Sequence, residues 1–425
     1  MAELQMNYTS PRWTNEIADC SMPMTFDTYS KCSYNCLYCF SFFQKSHTVK
    51  GYISGGVRSV NPEKVKNLFI SALNNDYEKV NKVERQFFPY IQARRVMQWG
   101  GLADEFDEWE RRYGITLELL KFFDEIDYPL SFSTKAVWWT KDERYMSIFK
   151  KHTHNWHVKI SIITNSDEKA QRMEKGVAPT SERIEAIRRL ADIGIHVTLR
   201  LRPYIIGLSE EWKELMQRAR EAGADSVTTE YFCMESRADD RLKRRYAEMS
   251  EIVGYDIHKF YMAQSKQNGY KRLNKQIKHP NIEAMRKWAH DLGMRFHVSD
   301  AHCRECNDAC NCCGVPPEFG VNQWGNIGQA IIIAKEKGEV HWKDISEPIE
   351  KYLDFPWMET ASYNTGSNRK RAQNYNMTMA QFLHNNWNNP KGALSPMMGY
   401  GNCLMADRID ENGDVVYKYV GKKEE

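Results

Sequence analysis

The chain has 425 residues, 42% of them apolar and 27% charged, with a formal net charge of +3. That length exceeds a minimal domain and suffices for one large barrel with an appendage. The small net charge excludes a global electrostatic attraction for nucleic acid, and no run approaches the ~18 consecutive apolar residues of a membrane span.

In chain order, "MAELQMNYTSPRW" lacks the basic and apolar regions of a signal peptide, so a cytoplasmic location is expected. "MPMTFDTY" (22–29) predicts a first strand, which ends just before the loop "KCSYNCLYCF" (31–40). "RRVMQW" (94–99) predicts a second, followed at once by Gly100 and Gly101. A helix over 115–126 leads to a third strand, "PLSFSTKA" (129–136), and "HVKISIIT" (157–164) is the fourth. The helix of "TSERIEAIRRLADIG" carries Thr180 or Ser181 as cap and Gly194 as stop. A fifth strand (196–203), a helix capped by Ser209 and stopped by Gly223, and a sixth strand (226–232) follow. Six strand–helix units in a row predict an α/β fold with a parallel sheet, either an open partial (β/α)6-type barrel or part of a complete eight-stranded one. A helix at 281–293 and one more strand at 294–299 close this region, placing a boundary near 300 between residues 1–300 and a cysteine-rich C-terminal extension, 301–425.

Eleven cysteines in a reducing compartment are not expected to form structural disulfides. Cys32, Cys36 and Cys39 share one loop. Cys303, Cys306, Cys310, Cys312 and Cys313 fall within eleven residues, and Cys20, Cys233 and Cys403 stand alone. Clumping of this kind points to metal ligation. Structural zinc takes four protein ligands, whereas three thiolates on a [4Fe–4S] cubane leave one iron open to a substrate or cofactor. The loop's position after the first strand suits that role, because α/β barrels place their working loops at strand C-termini.

Cys-x3-Cys-x2-Cys with an aromatic, Tyr38, before the last cysteine resembles the radical S-adenosylmethionine (SAM) superfamily. The Gly100-Gly101 pair, "WGGLADEFDEWE" (99–110), "STK" (133–135), "ISIIT" (160–164) and "LRLRPYIIGLSEEW" (199–212) resemble its spore photoproduct lyase-like, or DNA repair photolyase-like, branch over roughly residues 20–235. The resemblance implies a [4Fe–4S] cluster on Cys32, Cys36 and Cys39 whose open iron chelates SAM. It also implies reductive cleavage to a 5′-deoxyadenosyl radical and hydrogen abstraction from a substrate. Around SAM it implies Tyr38, Phe40, Gly100, Gly101, Asp104, Lys135, Ser161 and Arg202, with Glu110 in the same motif. An electron donor such as flavodoxin or ferredoxin is implied as partner. Spore photoproduct lyases use a cysteine downstream of the loop as hydrogen donor. Here no cysteine lies between Cys39 and Cys233, so Cys233 is the substitute candidate.

The five C-terminal cysteines suit a second iron–sulfur cluster, a zinc ion or a thiol redox role; the radical SAM resemblance favours the first. His152, His154 and His157 are expected in a solvated helix-to-strand loop away from the site. "RLKRRY" (241–246) and "NRKRAQNYNM" (368–377) are basic with flanking aromatics, either phosphate-tracking segments or solvated faces. The Asn-rich stretch 374–390 is expected to be a lid, a substrate-reading element or packing. Three functions follow as expectations: a radical SAM enzyme acting on a nucleic acid or nucleotide, one acting on a peptide or small metabolite, or a zinc-dependent nucleic-acid-binding protein without catalysis.

Overall fold

Alternation in the central strands decides the architecture. The computed structural model describes residues 4–14, 20–48, 52–236, 239–265, 270–321, 325–353, 378–392, 394–399 and 403–421. Its main sheet has eight strands in consecutive spatial order. These are β1 (Arg12–Trp13), β2 (Met24–Phe26), β3 (Met97–Trp99), β4 (Leu130–Thr134), β5 (Trp156–Ser161), β6 (His196–Tyr204), β7 (Ser226–Tyr231) and β8 (Arg295–Val298). β1 pairs antiparallel with β2; every other pairing is parallel. β1 and β8 are not paired with each other, so the sheet is open. The expected six parallel strands are seven, because the strand foreseen at 294–299 joins the sheet beside β7.

One face of the sheet is apolar. Trp99, Phe132, Val158, Leu199, Val227 and Phe296 are fully buried there or nearly so, and Trp99 stacks on Phe132 with ring centroids 5.4 Å apart. Each such side chain contributes about 1.5–3 kcal/mol by leaving water. Helices cover this face: α1 (Phe40–Thr48) and α2 (Pro62–Leu73) between β2 and β3, α3 (Ile115–Glu125), α4 (Glu143–Phe149), α5 (Thr180–Asp192), α6 (Trp212–Glu221), then α7 (Asp240–Val253) and α8 (Lys275–Asp291). α2 starts where Asn61 accepts the Lys64 amide and Pro62 opens the first turn, and it buries Val65, Leu68, Phe69 and Ala72 at helical spacing.

Two caps differ from expectation. Pro179 precedes α5, and the Thr180 hydroxyl donates instead to the Thr164 carbonyl. Ser209 lies three residues before α6, where its hydroxyl donates to the Ile163 carbonyl. Both hydroxyls satisfy the loop after β5 rather than a helix end. The stops hold: Gly194 and Gly223 take φ of +90° and +101°.

The other face is polar and buried. Register places Ser133, Lys159, Thr198 and Ser226 side by side, and Ser161, Arg200 and Thr228 in the next row. Such strands alternate instead of reading as continuous apolar runs, because among the described residues no helix layer covers this inner face. Residues 310–315, just past the expected boundary, run along it: Thr228 donates to the Cys312 carbonyl at 2.6 Å and Ser226 to the Gly314 carbonyl at 3.3 Å. Gly314 has φ +78°, and a Cβ there would stand 2.3 Å from the Thr198 hydroxyl.

The histidine segment is not the solvated loop expected. His152 is buried and stacked 4.2 Å from Trp156, and His157 is fully buried in β5 between the Ser131 and Thr198 hydroxyls; His154 alone is exposed. Farther on, α9 (Ile327–Lys337), α10 (Lys343–Leu353) and a sheet of β9 (Glu339–Val340), β10 (Leu404–Ile409) and β11 (Val415–Tyr419) follow, in order β9-β11-β10. "NRKRAQNYNM" and residues 374–377 lie outside the described residues; Met379–Trp387 is helical. Among the described residues no helix is long and apolar enough to cross a membrane.

Candidate active site

The three-cysteine loop leaves β2 and is fixed from three sides. Asn35–Cys36 pairs antiparallel with Glu174–Lys175, which follows the helix after β5. The Tyr38 hydroxyl donates to Glu174; Arg183 of α5 lies 2.7 Å from the other Glu174 oxygen and donates to the Ser161 carbonyl at 2.7 Å. This buried chain ties the loop to the end of β5. On the opposite flank Arg245 of α7 donates to the Cys36 carbonyl at 2.7 Å and to the Asn35 side chain, with its guanidinium 3.9 Å from the centre of the Phe42 ring. "RLKRRY" therefore sends one arginine into the loop, a long-range contact invisible in its local composition.

Cys32, Cys36 and Cys39 line one open cavity, together with Tyr34, Tyr52 and Arg245. The Asp104 amide donates to Cys32 Sγ at 2.9 Å and the Phe42 amide to Cys39 Sγ at 3.4 Å. Burial pushes the Cys36 thiol up to about 12, against the pull of Lys135, and raises Cys32 with Asp107 and Asp104 adding to the effect. Thiols so placed become thiolates only beside a cation, which is what a metal supplies. The three sulfurs do not all lie within 4.8 Å of one another. A single tetrahedral zinc needs thiolates closer than that, since Zn–S is ~2.3 Å. The three-thiol set with backbone N–H donors on sulfur fits a polynuclear iron–sulfur group.

The residues implied around SAM divide. Lys135 follows β4 with Nζ 5.9 Å from the Tyr38 ring centre; burial opposes its charge, yet Cys36 and Glu174 hold it above its ordinary value. Ser161 accepts from Arg200 at 3.3 Å. Arg202 pairs with Glu230. Gly100 takes φ +92°, and a Cβ there would meet the Ser133 carbonyl at 2.5 Å, so strand packing already demands glycine; a Cβ on Gly101 would stand 2.9 Å from Arg12. Asp104 spends its carboxylate inside the protein, on the Lys135 and Phe106 amides and the Thr134 hydroxyl. Glu110 accepts from Tyr29, Tyr145, Thr116 and Leu117. Both acids organise the loop after β3. Phe40 is half-exposed at the start of α1, and Phe42 lines the cavity in its place.

Arg200 and Lys159 were not singled out from the sequence, although the alternation in "LRLRP" and "HVKIS" puts them on the inner face. Burial, with Arg202 adding, pushes Arg200 down to about 10, and burial pushes Lys159 down to about 8. Lys159 donates to Gln98 and Ser131 at 3.0 and 2.8 Å.

The five C-terminal cysteines do not close on one point. Cys303 and Cys306 sit in the main core, whereas Cys313 packs with Cys20, Met22, Val96, Val315 and Val321. Cys310 meets Ser21, Cys312 accepts from Ser299, and Cys313 faces Gln98. Cys233 lies two residues past β7 with its thiol on the Tyr231 carbonyl, and burial pushes it up to about 12.

No family model and no curated protein matches the chain. Solved structures similar to it include a cysteine-to-serine variant of spore photoproduct lyase, at 16% identity over 69% of this chain and 80% of that one, TM-score 0.47. A double variant of that lyase with bound AdoMet and dinucleoside spore photoproduct matches at 15% identity over 67% and 79%, TM-score 0.46. Streptococcus suis SuiB bound to precursor peptide SuiA matches at 14% over 67% and 51%, TM-score 0.42.

Proposed function

We propose that the chain is a radical SAM enzyme, with a [4Fe–4S] cluster on Cys32, Cys36 and Cys39 and SAM between that loop and the ends of β4, β5 and β6. The observation that carries this is the meeting of three thiols at one cavity, beside Tyr38, whose ring lies under Lys135 and whose hydroxyl links through Glu174 and Arg183 to Ser161. When bound, the cluster supplies one electron to the SAM sulfonium, yielding methionine and a 5′-deoxyadenosyl radical that takes hydrogen from the substrate. Lys135 and Arg200 hold the SAM carboxylate, and the Ser161 hydroxyl contributes a polar contact. A flavodoxin or ferredoxin serves as external donor.

A nucleotide or nucleic acid is the substrate class we favour. Lys159 on the inner face is held by neutral partners, Gln98 and Ser131, which leaves its cationic character for a phosphate. Cys233, at the same strand edge as the loop, is the assigned hydrogen donor. Cys310, Cys312 and Cys313, with Cys20 beside them, are the set we assign to a second iron–sulfur cluster; Cys303 and Cys306 stand apart from it.

The test is anaerobic reconstitution followed by assay of 5′-deoxyadenosine. Cys36→Ala is expected to lose the SAM-dependent cluster signal and at least a hundredfold of SAM cleavage, roughly the loss of a preorganised catalytic group. Cys233→Ala is expected to keep SAM cleavage and lose product. Retained cleavage in Cys36→Ala refutes the cluster assignment. Stimulation by peptides and not by mono-, di- or oligonucleotides refutes the substrate class.

A further inference from the structure

At the N-terminal edge of the sheet, opposite the cavity, two turns present three ligand atoms to one point. Asp127 precedes β4; His152 and His154 precede β5. His152 Nδ1 lies 3.2 Å and His154 Nε2 3.3 Å from Asp127 Oδ1, and the three ligand atoms all fall within 4.8 Å of one another. Among the described residues no other group of three or more His, Cys, Asp or Glu does so.

The two histidine-to-aspartate separations are those of a coordination shell. Ligands about 2.0–2.1 Å from a tetrahedral ion stand about 3.3 Å apart, the tetrahedral edge being roughly 1.6 times the bond. His152 adds an independent observation. Its side chain is only 4% exposed, and Nδ1 is buried without a hydrogen-bond partner while aimed at Asp127. A buried imidazole nitrogen left so is costly unless something fills the position. Its other nitrogen, Nε2, contacts Asp124 Oδ1 at 2.9 Å, and Asp124 is itself bound by Lys151 at 2.7 Å. A carboxylate behind the far nitrogen of a ligating histidine fixes the tautomer that frees the near nitrogen for metal. The ring is further clamped by its stacking on Trp156.

We propose that Asp127, His152 and His154 bind a divalent first-row cation, zinc being the best match to two imidazoles and one carboxylate, with solvent in the fourth position. Asp127 and His154 are exposed, so the ion enters from solvent. Bound there, it joins the turn before β4 to the turn before β5 on the edge away from the candidate active site. The site is independent of the radical SAM assignment.

The experiment uses the full chain with its iron–sulfur content reconstituted, the variants His154→Ala and Asp127→Asn, and zinc as probe. Asp127 has φ +50°, a conformation that asparagine tolerates, and His154 is exposed, so both variants keep the fold. After exhaustive dialysis each variant is expected to hold one zinc fewer per chain than the parent, with iron and SAM cleavage unchanged. Zinc is expected to raise the melting temperature of the parent only. X-ray absorption at the zinc edge distinguishes this site from the cysteines: the zinc lost in the variants carries nitrogen and oxygen ligands. Undiminished zinc in both variants, or a sulfur-only shell in the parent, overturns the proposal.

Discussion

Arg183 and Glu174 carry more of the candidate site than their lack of chemistry suggests. Both are fully buried, and together they connect Tyr38 on the cysteine loop to the Ser161 carbonyl. A buried pair is costly to break on one side only, because the remaining charge has no water to return to. Arg183→Met is expected to destabilise the protein by about 3–5 kcal/mol, read as a lowered denaturant midpoint. Arg183→Met combined with Glu174→Gln is expected to recover part of that loss, since neither charge is then stranded. An additive double variant would sink this account. At the same scale, Asp104 and Glu110 show how residues singled out from the sequence serve structure: every carboxylate oxygen of the two meets a donor from the protein itself.

Among the elements, the segment 310–315 is the least expected. Its cysteines mark it as a metal-binding tail in the sequence, yet the structure lays its backbone along the inner face, bonded to hydroxyls of β6 and β7. Gly314 makes the close approach possible. Gly314→Ala is expected to cost roughly 2–4 kcal/mol, combining the left-handed backbone penalty with overpacking against Thr198. Faster protease cleavage within 305–321 is the sensitive measurement, and unchanged protection would show that the segment yields without cost. The strands were legible because apolar and polar residues alternate in them, and the stops of α5 and α6 because glycine alone is at ease at positive φ. The starts of those helices were not. A serine or threonine before an apolar run has the same local signature whether it caps the helix or, as Thr180 and Ser209 do, bonds to a carbonyl far away in the chain.

Across the whole molecule, ion pairs between histidine and aspartate stitch the N-terminal edge of the sheet. His196 at the start of β6 pairs with Asp225 before β7, which also meets Arg295 of β8; Asp308 meets His290. The Asp225 hydrogen bond raises His196 above its ordinary value, against burial. A histidine raised on folding stabilises most fully below its unfolded pKa, ~6.5, and that contribution is lost as pH climbs through the folded value. Asp308 is held low, burial opposed by the Phe296 amide and His290, so its contribution is complete above ~3.8 and lost as pH falls through the folded value. The His196 and Asp308 contributions are therefore both complete between about pH 4 and 6.5, and each is lost on its own side of that window, read as a lowered thermal midpoint there. His196→Gln is expected to flatten the alkaline fall; an unchanged slope would assign it to another group.

Local chemistry determined a good deal. Three thiols seven residues apart from first to last, the period-2 strands and the glycine stops all act within a few residues, so they are readable without knowing the fold. The sequence by itself therefore determined the parallel α/β class and the loop that carries Cys32, Cys36 and Cys39. Only the tertiary structure decided what meets that loop. Arg245 comes from 209 positions beyond Cys36, Arg183 reaches back 22 to Ser161, and Asp127 closes on histidines from the next turn. Such partners are chosen by strand order and register, which bring distant side chains within a few ångströms while leaving no pattern in the residues on either side.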